Sequence, residues 1–336
     1  MKTHFLLPLA LAVLAATRAA DPVEIKLATI LPLNTSGHHG LMEMRDAWHK
    51  ASAQAVKLTI YAGSADGETL LVKKLRARQI HAALISSVGL AQIDRSLTCL
   101  QLMPMTFRDW REVDYVRGKI AGDLEARLRD KGFEVLFWAD AGWVRYFSKG
   151  PGAHPADYKA MKMFVWSGEP QHLSIMRSLG YQPVSLETEQ IVPALSTGMV
   201  EVVPVPPFIA NALQFTRYAP HMLDLNWVPI VGAAIVRRDT WEKIAPELRR
   251  DLLQITASTG EKFRSRGRAE DNEAITAMQK RGLVVQAATP EVTAGWQALA
   301  EQAYPKIRGS IVPEELFDRV HAHLAEFRAW NGTASP

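Results

Sequence analysis

A single cysteine, Cys99, stands among 336 residues, which excludes an internal disulfide and a thiolate metal cluster. Net charge is also scarce. The 39 Lys and Arg exceed the 35 Asp and Glu by only four, too few for the basic face or stripe that nucleic acid calls for. Beyond residue 20 no apolar run approaches the ~20 residues that span a bilayer. Catalytic signatures are missing as well: there is no G-x-S-x-G elbow, no G-x-x-x-x-G-K-[ST] phosphate loop, and no G-x-G-x-x-G after a strand. His38-His39 and His321-x-His323 have no cysteine or carboxylate at zinc-like spacing, so they read as a polar loop and a solvated helix edge. Glu68, Glu169, Glu187 and Glu189 are carboxylates that no spacing pairs as an acid and a base. The sequence gives no reason to expect an enzyme, a metal or a cofactor.

The amino end is distinctive. Met1-Lys2-Thr3-His4 is a short basic start, Phe5 to Ala16 is apolar, and small residues precede Asp21. Residues 1–20 therefore read as a cleaved signal peptide, with a buried N-terminal helix as the alternative. Cleavage would leave an exported, periplasmic protein of 316 residues with 37 basic and 35 acidic side chains. That length suffices for about two domains. Without disulfides, its apolar core must hold it together, and 48% of the full 336-residue chain is hydrophobic.

The remainder alternates strand and helix patterns. Glu24–Ile30, Val56–Tyr61 and His81–Ile85 read as strands separated by helices over Leu41–Ala53 and Glu68–Ala77. Right-handed crossovers then predict a mostly parallel sheet. Asp109 has capping-box spacing to Glu112, and Val113, Val116, Ile120, Leu124 and Leu128 form one face of the helix that follows. A second series runs from Phe133 to Phe208, with aromatic residues where strands end. In α/β sheets ligands bind at the carboxyl ends of strands. Pro229–Val236 is another buried strand, and a helix capped near Asp239 is expected to run to about Lys280. Its basic residues Arg249, Arg250, Lys262, Arg264, Arg266 and Arg268 mark a solvated face or a docking face.

Several segments in order resemble the DctP-type solute-binding proteins of tripartite ATP-independent periplasmic (TRAP) transporters. They are Ile25-Lys-Leu-Ala-Thr29, Gly67-Glu68, Pro155-Ala-Asp-Tyr-Lys-Ala-Met-Lys-Met-Phe-Val165, Leu179-Gly-Tyr-Gln-Pro-Val184 and Ala194-Leu-Ser-Thr-Gly-Met-Val-Glu201. The resemblance implies an α/β, two-lobed periplasmic-binding-protein fold with a long helix, Thr240–Lys280, across both lobes. It also implies lobes of 21–145 plus 226–255 and of 146–225 plus 256–336. The implied function is capture of a small molecule between the lobes and its delivery to the small and large membrane subunits. Rival readings are an exported enzyme on this scaffold and a receptor for a signalling protein.

One departure bears on the ligand. The family wording "K-I-R-V" carries an arginine whose planar fork suits a carboxylate. Here Lys162-Met163-Phe164-Val165 places Phe164 at that position, and Val202-Val-Pro-Val-Pro-Pro207 replaces a polar segment. The expected cleft is therefore apolar and aromatic, suited to a hydrophobic, aromatic or weakly acidic solute. Its candidate residues are Glu68, Ser87, Trp143, Arg145, Phe164, Trp166, Glu169, Pro206, Phe208 and Trp227. Arg145 fits an anion clamp or an ion pair equally well, each tryptophan also fits a core role, and Glu169 also fits a helix cap.

Overall fold

A computed structural model describes residues 21–64, 67–167 and 170–332. The proposed signal peptide and Glu169 therefore lie outside the described residues. The strands are β1 (Val23–Thr29), β2 (Val56–Tyr61), β3 (Ala82–Ser86), β4 (Phe133–Trp143), β5 (Arg145–Ser148), β6 (Lys162–Trp166), β7 (Gln182–Leu186), β8 (Val202–Val205), β9 (His221–Asp224), β10 (Pro229–Arg237) and β11 (Val284–Ala287). They form two sheets, ordered β2-β1-β3-β10-β4 and β11-β9-β5-β8-β6-β7, each covered by helices as the two-lobed α/β expectation requires.

Both sheets are mixed rather than mostly parallel. β1 pairs in parallel with β2 and β3, and helices Ser36–Ala51 and Gly67–Arg76 make the returns. β10 is antiparallel to β3 and β4. In the second sheet β6 is parallel to β7 and β8, and β9 to β11, while β5 is antiparallel to β8 and β9. A helical crossover forces parallel pairing only when it returns to the same sheet. β5 and β10 instead enter directly from the other sheet. β4 passes into β5 through Val144 alone, and β9 reaches β10 through 225–228. These two crossings are bonded to each other: Val144 N–H donates to Val228 O at 2.9 Å, and Trp227 N–H to Val144 O at 3.2 Å.

The third connection is the helix Pro246–Gln279. Its 34 residues span about 51 Å at 1.5 Å each. It starts later than the expected Thr240, because Arg238–Trp241 is a separate short helix and Pro246, which lacks an N–H, suits a first helical position. Gly267 lets the helix lie close on β4: a Cβ there would stand 2.4 Å from the Asp140 carbonyl oxygen. The fully buried Asp140 side chain accepts from Arg117 and Arg268, and Arg268 also reaches Asp114 and the face of Trp110. This network fastens the long helix and helix Trp110–Asp130 to β4. On the rest of the basic face Arg250, Lys262, Arg264 and Arg266 each meet a glutamate, whereas the buried Arg249 Nε has no hydrogen-bond partner among the described residues.

Val113, Val116, Ile120, Leu124 and Leu128 all have 0% exposure, so the expected helix face is the packed one. Helix Pro290–Ile307 packs Trp296 against Tyr146 and Tyr158 beside the second sheet. The last helix, Glu314–Gly332, returns instead to the first sheet's helix Trp110–Asp130, where Leu316, Val320 and Leu324 join that core.

Candidate ligand cleft

β1, β3, β6, β7 and β8 all end toward a cleft of about 920 Å³ between the sheets. Thr29–Pro32, Leu84–Ser86 and Ala139–Ala141 line it from the first sheet. Trp166, Thr188, Glu189 and Phe208–Ile209 line it from the second, and Lys262, Phe263 and Arg266 from the long helix. Its lining is dominated by short or apolar side chains, with the half-buried Trp166 and Phe208 as aromatic members from the second lobe.

Of the candidate residues, Glu68, Trp166 and Phe208 line this cleft. The Glu68 carboxylate is already committed to the β3 turn. It accepts from Ser86 N–H at 2.7 Å, Ser86 Oγ–H at 2.6 Å and Gly89 N–H at 2.9 Å. Ser87 lies one residue too far along, buried, and donates through Oγ to Val231 O. Phe164 is 1% exposed in the second lobe's core, and Trp166 stands edge-to-face with it at 4.8 Å. Side chains two apart share a strand face, so Trp166 lies between Phe164 and the strand's open end. Pro206 is buried as the cap of helix Pro207–Ala212.

The remaining candidates sit at the crossings. Trp143 packs on Trp110 at 5.1 Å within the first core. Trp227 packs on Tyr146 and Trp296 in a core of the second. Arg145 pairs with Asp224 at 3.0 Å and with Asn226, so it braces one crossing against the other and does not line the cleft. Burial presses its guanidinium below its ordinary range, opposed by the charge of Asp224.

Among the described lining residues the cationic or basic side chains are His39, Lys262 and Arg266. Lys262 pairs with Glu43 at 3.1 Å and Arg266 with Glu270 at 3.8 Å, and both cations are about two-thirds exposed. Arg117, which is buried, and Arg268, about a quarter exposed, bind Asp140 and are not lining residues. The described interior thus presents no buried guanidinium to a ligand.

Sequence reasoning missed Leu31, Ile209 and Phe263 as lining residues. Phe263 was obscured by the basic residues around it, although its spacing to Gly260 and Gly267 marks the helix face that packs. Asp271 was also missed. It is 5% exposed and accepts from Trp143 N–H at 2.7 Å. Burial pushes its carboxyl up to about 7, with Trp143 N–H, Arg145 and Phe208 N–H opposing the shift.

Comparison with known proteins agrees with this architecture. The family model "Bacterial extracellular solute-binding protein, family 7" (DctP) matches residues 27–309. The C4-dicarboxylate-binding periplasmic protein DctP of Rhodobacter capsulatus is 24% identical over 308 residues, covering 90% of this chain and 92% of that protein. A TRAP periplasmic solute-binding protein from Ralstonia eutropha H16, solved with bound (S)-2-acetolactate, superposes with a TM-score of 0.82 at 19% identity, covering 90% of this chain and 99% of that one. Another from Sulfurospirillum deleyianum, solved with succinate, gives 0.80 at 21% identity, covering 89% and 98%. The chain belongs to the DctP family of bacterial extracellular solute-binding proteins.

Proposed function

We propose that this protein is a periplasmic receptor that takes a small, apolar or aromatic, neutral or weakly acidic solute into the cleft and delivers it to TRAP-type membrane subunits. The signal peptide at 1–20 directs it there, and it binds its solute without chemical change. The first lobe is residues 21–143, 229–255 and the C-terminal helix. The second is the remainder, with the crossings at Val144 and 225–228 as the hinge.

The observation that carries the ligand class is the lack of a buried cation in the described cleft lining, together with Trp166 and Phe208. The relatives named above bind a C4-dicarboxylate, acetolactate and succinate. A dicarboxylate here would leave charge uncompensated in a largely apolar cavity, which is costly. A solute burying roughly 150 Å² of apolar surface gains about 4 kcal/mol at 25 cal/mol per Å². A carboxylate head would turn outward to Arg266 or Lys262, where exposed pairs contribute about 1 kcal/mol or less.

Native mass spectrometry of the purified protein, followed by denaturation and identification of any retained molecule, tests this reading. Retention of an aromatic or lipophilic molecule, diminished in Trp166→Ala, is expected. Retention of a dicarboxylate would overturn the ligand class.

A further inference from the structure

Asp271 lies on the long helix where that helix passes the crossing from β4 to β5. Its Oδ2 accepts the Trp143 N–H at 2.7 Å, and the Phe208 N–H also favours the ionised carboxylate. Its other oxygen, Oδ1, is buried and meets no donor among the described residues. The chain comes this close only because residue 142 is glycine. Gly142 has φ +89°, and a Cβ there would stand 2.3 Å from Oδ2. The groups facing Asp271 are Arg145 from β5, Glu270 from its own helix, and backbone N–H groups from β4 and helix Pro207–Ala212. Arg145 is itself committed to Asp224 and Asn226.

We propose that Asp271 is a positioning residue of the ligand cleft. Its carboxylate ties the end of β4 and the start of the helix bearing Phe208 to the long helix, so one group sets where the cleft's aromatic wall stands relative to the crossing. The proposal rests on the reading of this cleft as the ligand site. A buried carboxylate oxygen without a donor is costly to the fold, and such costs concentrate where a group works for a site. Phe208 lines the cleft, Trp143 ends the strand that crosses, and Asp271 accepts the Trp143 N–H at 2.7 Å while the Phe208 N–H favours its ionised form. The clasp is strongest when ionised, because a charged acceptor roughly doubles a hydrogen bond.

The test is amide hydrogen exchange on the full mature chain at pH 6 and pH 8.5, for wild type and Asp271→Asn. Wild-type protection at Trp143 and Phe208, corrected for intrinsic exchange and taken relative to β3 and β10, whose protection falls with global stability as Asp271 ionises, is expected to rise about five-fold between those pH values, the equivalent of roughly 1 kcal/mol. In Asp271→Asn that rise is lost while β3 and β10 keep their protection. An unchanged pH profile in the variant, or protection lost equally throughout both sheets, would overturn the proposal. Fluorescence titration with 2-naphthoate separates it from the cleft reading. Loss of binding in Trp166→Ala and Phe208→Ala, with a loss in Asp271→Asn confined to pH 8.5, supports both. Loss in the two wall variants alone overturns the Asp271 role and leaves the cleft. Unaltered binding in the wall variants, or none by wild type, counts against the cleft reading, and the exchange result then decides Asp271 alone.

Discussion

At 1% exposure Phe164 is sealed in the second core behind Trp166, so this position presents neither a cation nor a surface to the cleft. Phe164→Arg would place an unpaired charge in that core, a cost of about 3–5 kcal/mol. Chemical denaturation should therefore show a marked loss of stability, with no gain in succinate affinity. A stable variant that binds succinate would mean the position still opens to the cleft. Asp271 gives a pH signature. Its folded pKa of about 7 stands above the ordinary 3.8, so the folded state holds the extra proton between those values. Stability from this group is complete below about pH 4 and is lost as pH rises to 7, by on the order of 1 kcal/mol per unit. Asp271→Asn lacks that slope, so denaturation at pH 5 and pH 8 should find the variant gaining on wild type at the higher pH. At this scale the sequence was least legible. Trp166 and Phe208 were readable as strand-end aromatics, but the partner of Arg145 lies 79 residues away, and Trp143 and Trp227 differ from Trp166 only in what the folded chain brings against them.

Elements with strong local signals were readable. Asp109 does accept from the N–H groups of Arg111 and Glu112, as its capping-box spacing suggested, and the apolar face of the helix it opens is the packed one. The four-residue strands β9 and β11 carried little signal, since pairing across the sheet defines them rather than propensity. The break at Val144, between Trp143 and Arg145, was also hidden, because the apolar pattern runs through it while the chain changes sheets. The contact of the long helix with β4 leads to a further expectation. Gly267→Ala brings a methyl to 2.4 Å from a backbone oxygen, and neither partner is a flexible side-chain end. Overpacking of this kind costs roughly 1–3 kcal/mol. Thermal denaturation should show the loss, and a wild-type melting temperature would mean that the helix sits less tightly on β4.

For the whole molecule, two mixed sheets meet where the carboxyl ends of five strands converge, and the long helix crosses with them. This arrangement was legible because strand-helix alternation and the DctP-like segments both pointed to it. The antiparallel entry of β5 and β10 was not, since it depends on which sheet the chain is leaving. A ligand that holds the lobes together stabilises the fold in proportion to its occupancy, so 2-naphthoate should raise the melting temperature of wild type and leave that of Trp166→Ala nearly unchanged. The most direct test of the cleft's chemistry is isothermal titration calorimetry of the mature protein against 2-naphthoate and succinate in one buffer. The expectation is saturable binding of 2-naphthoate and no measurable binding of succinate. Tight succinate binding with no response to 2-naphthoate would contradict it and place a carboxylate-binding cation in the cleft.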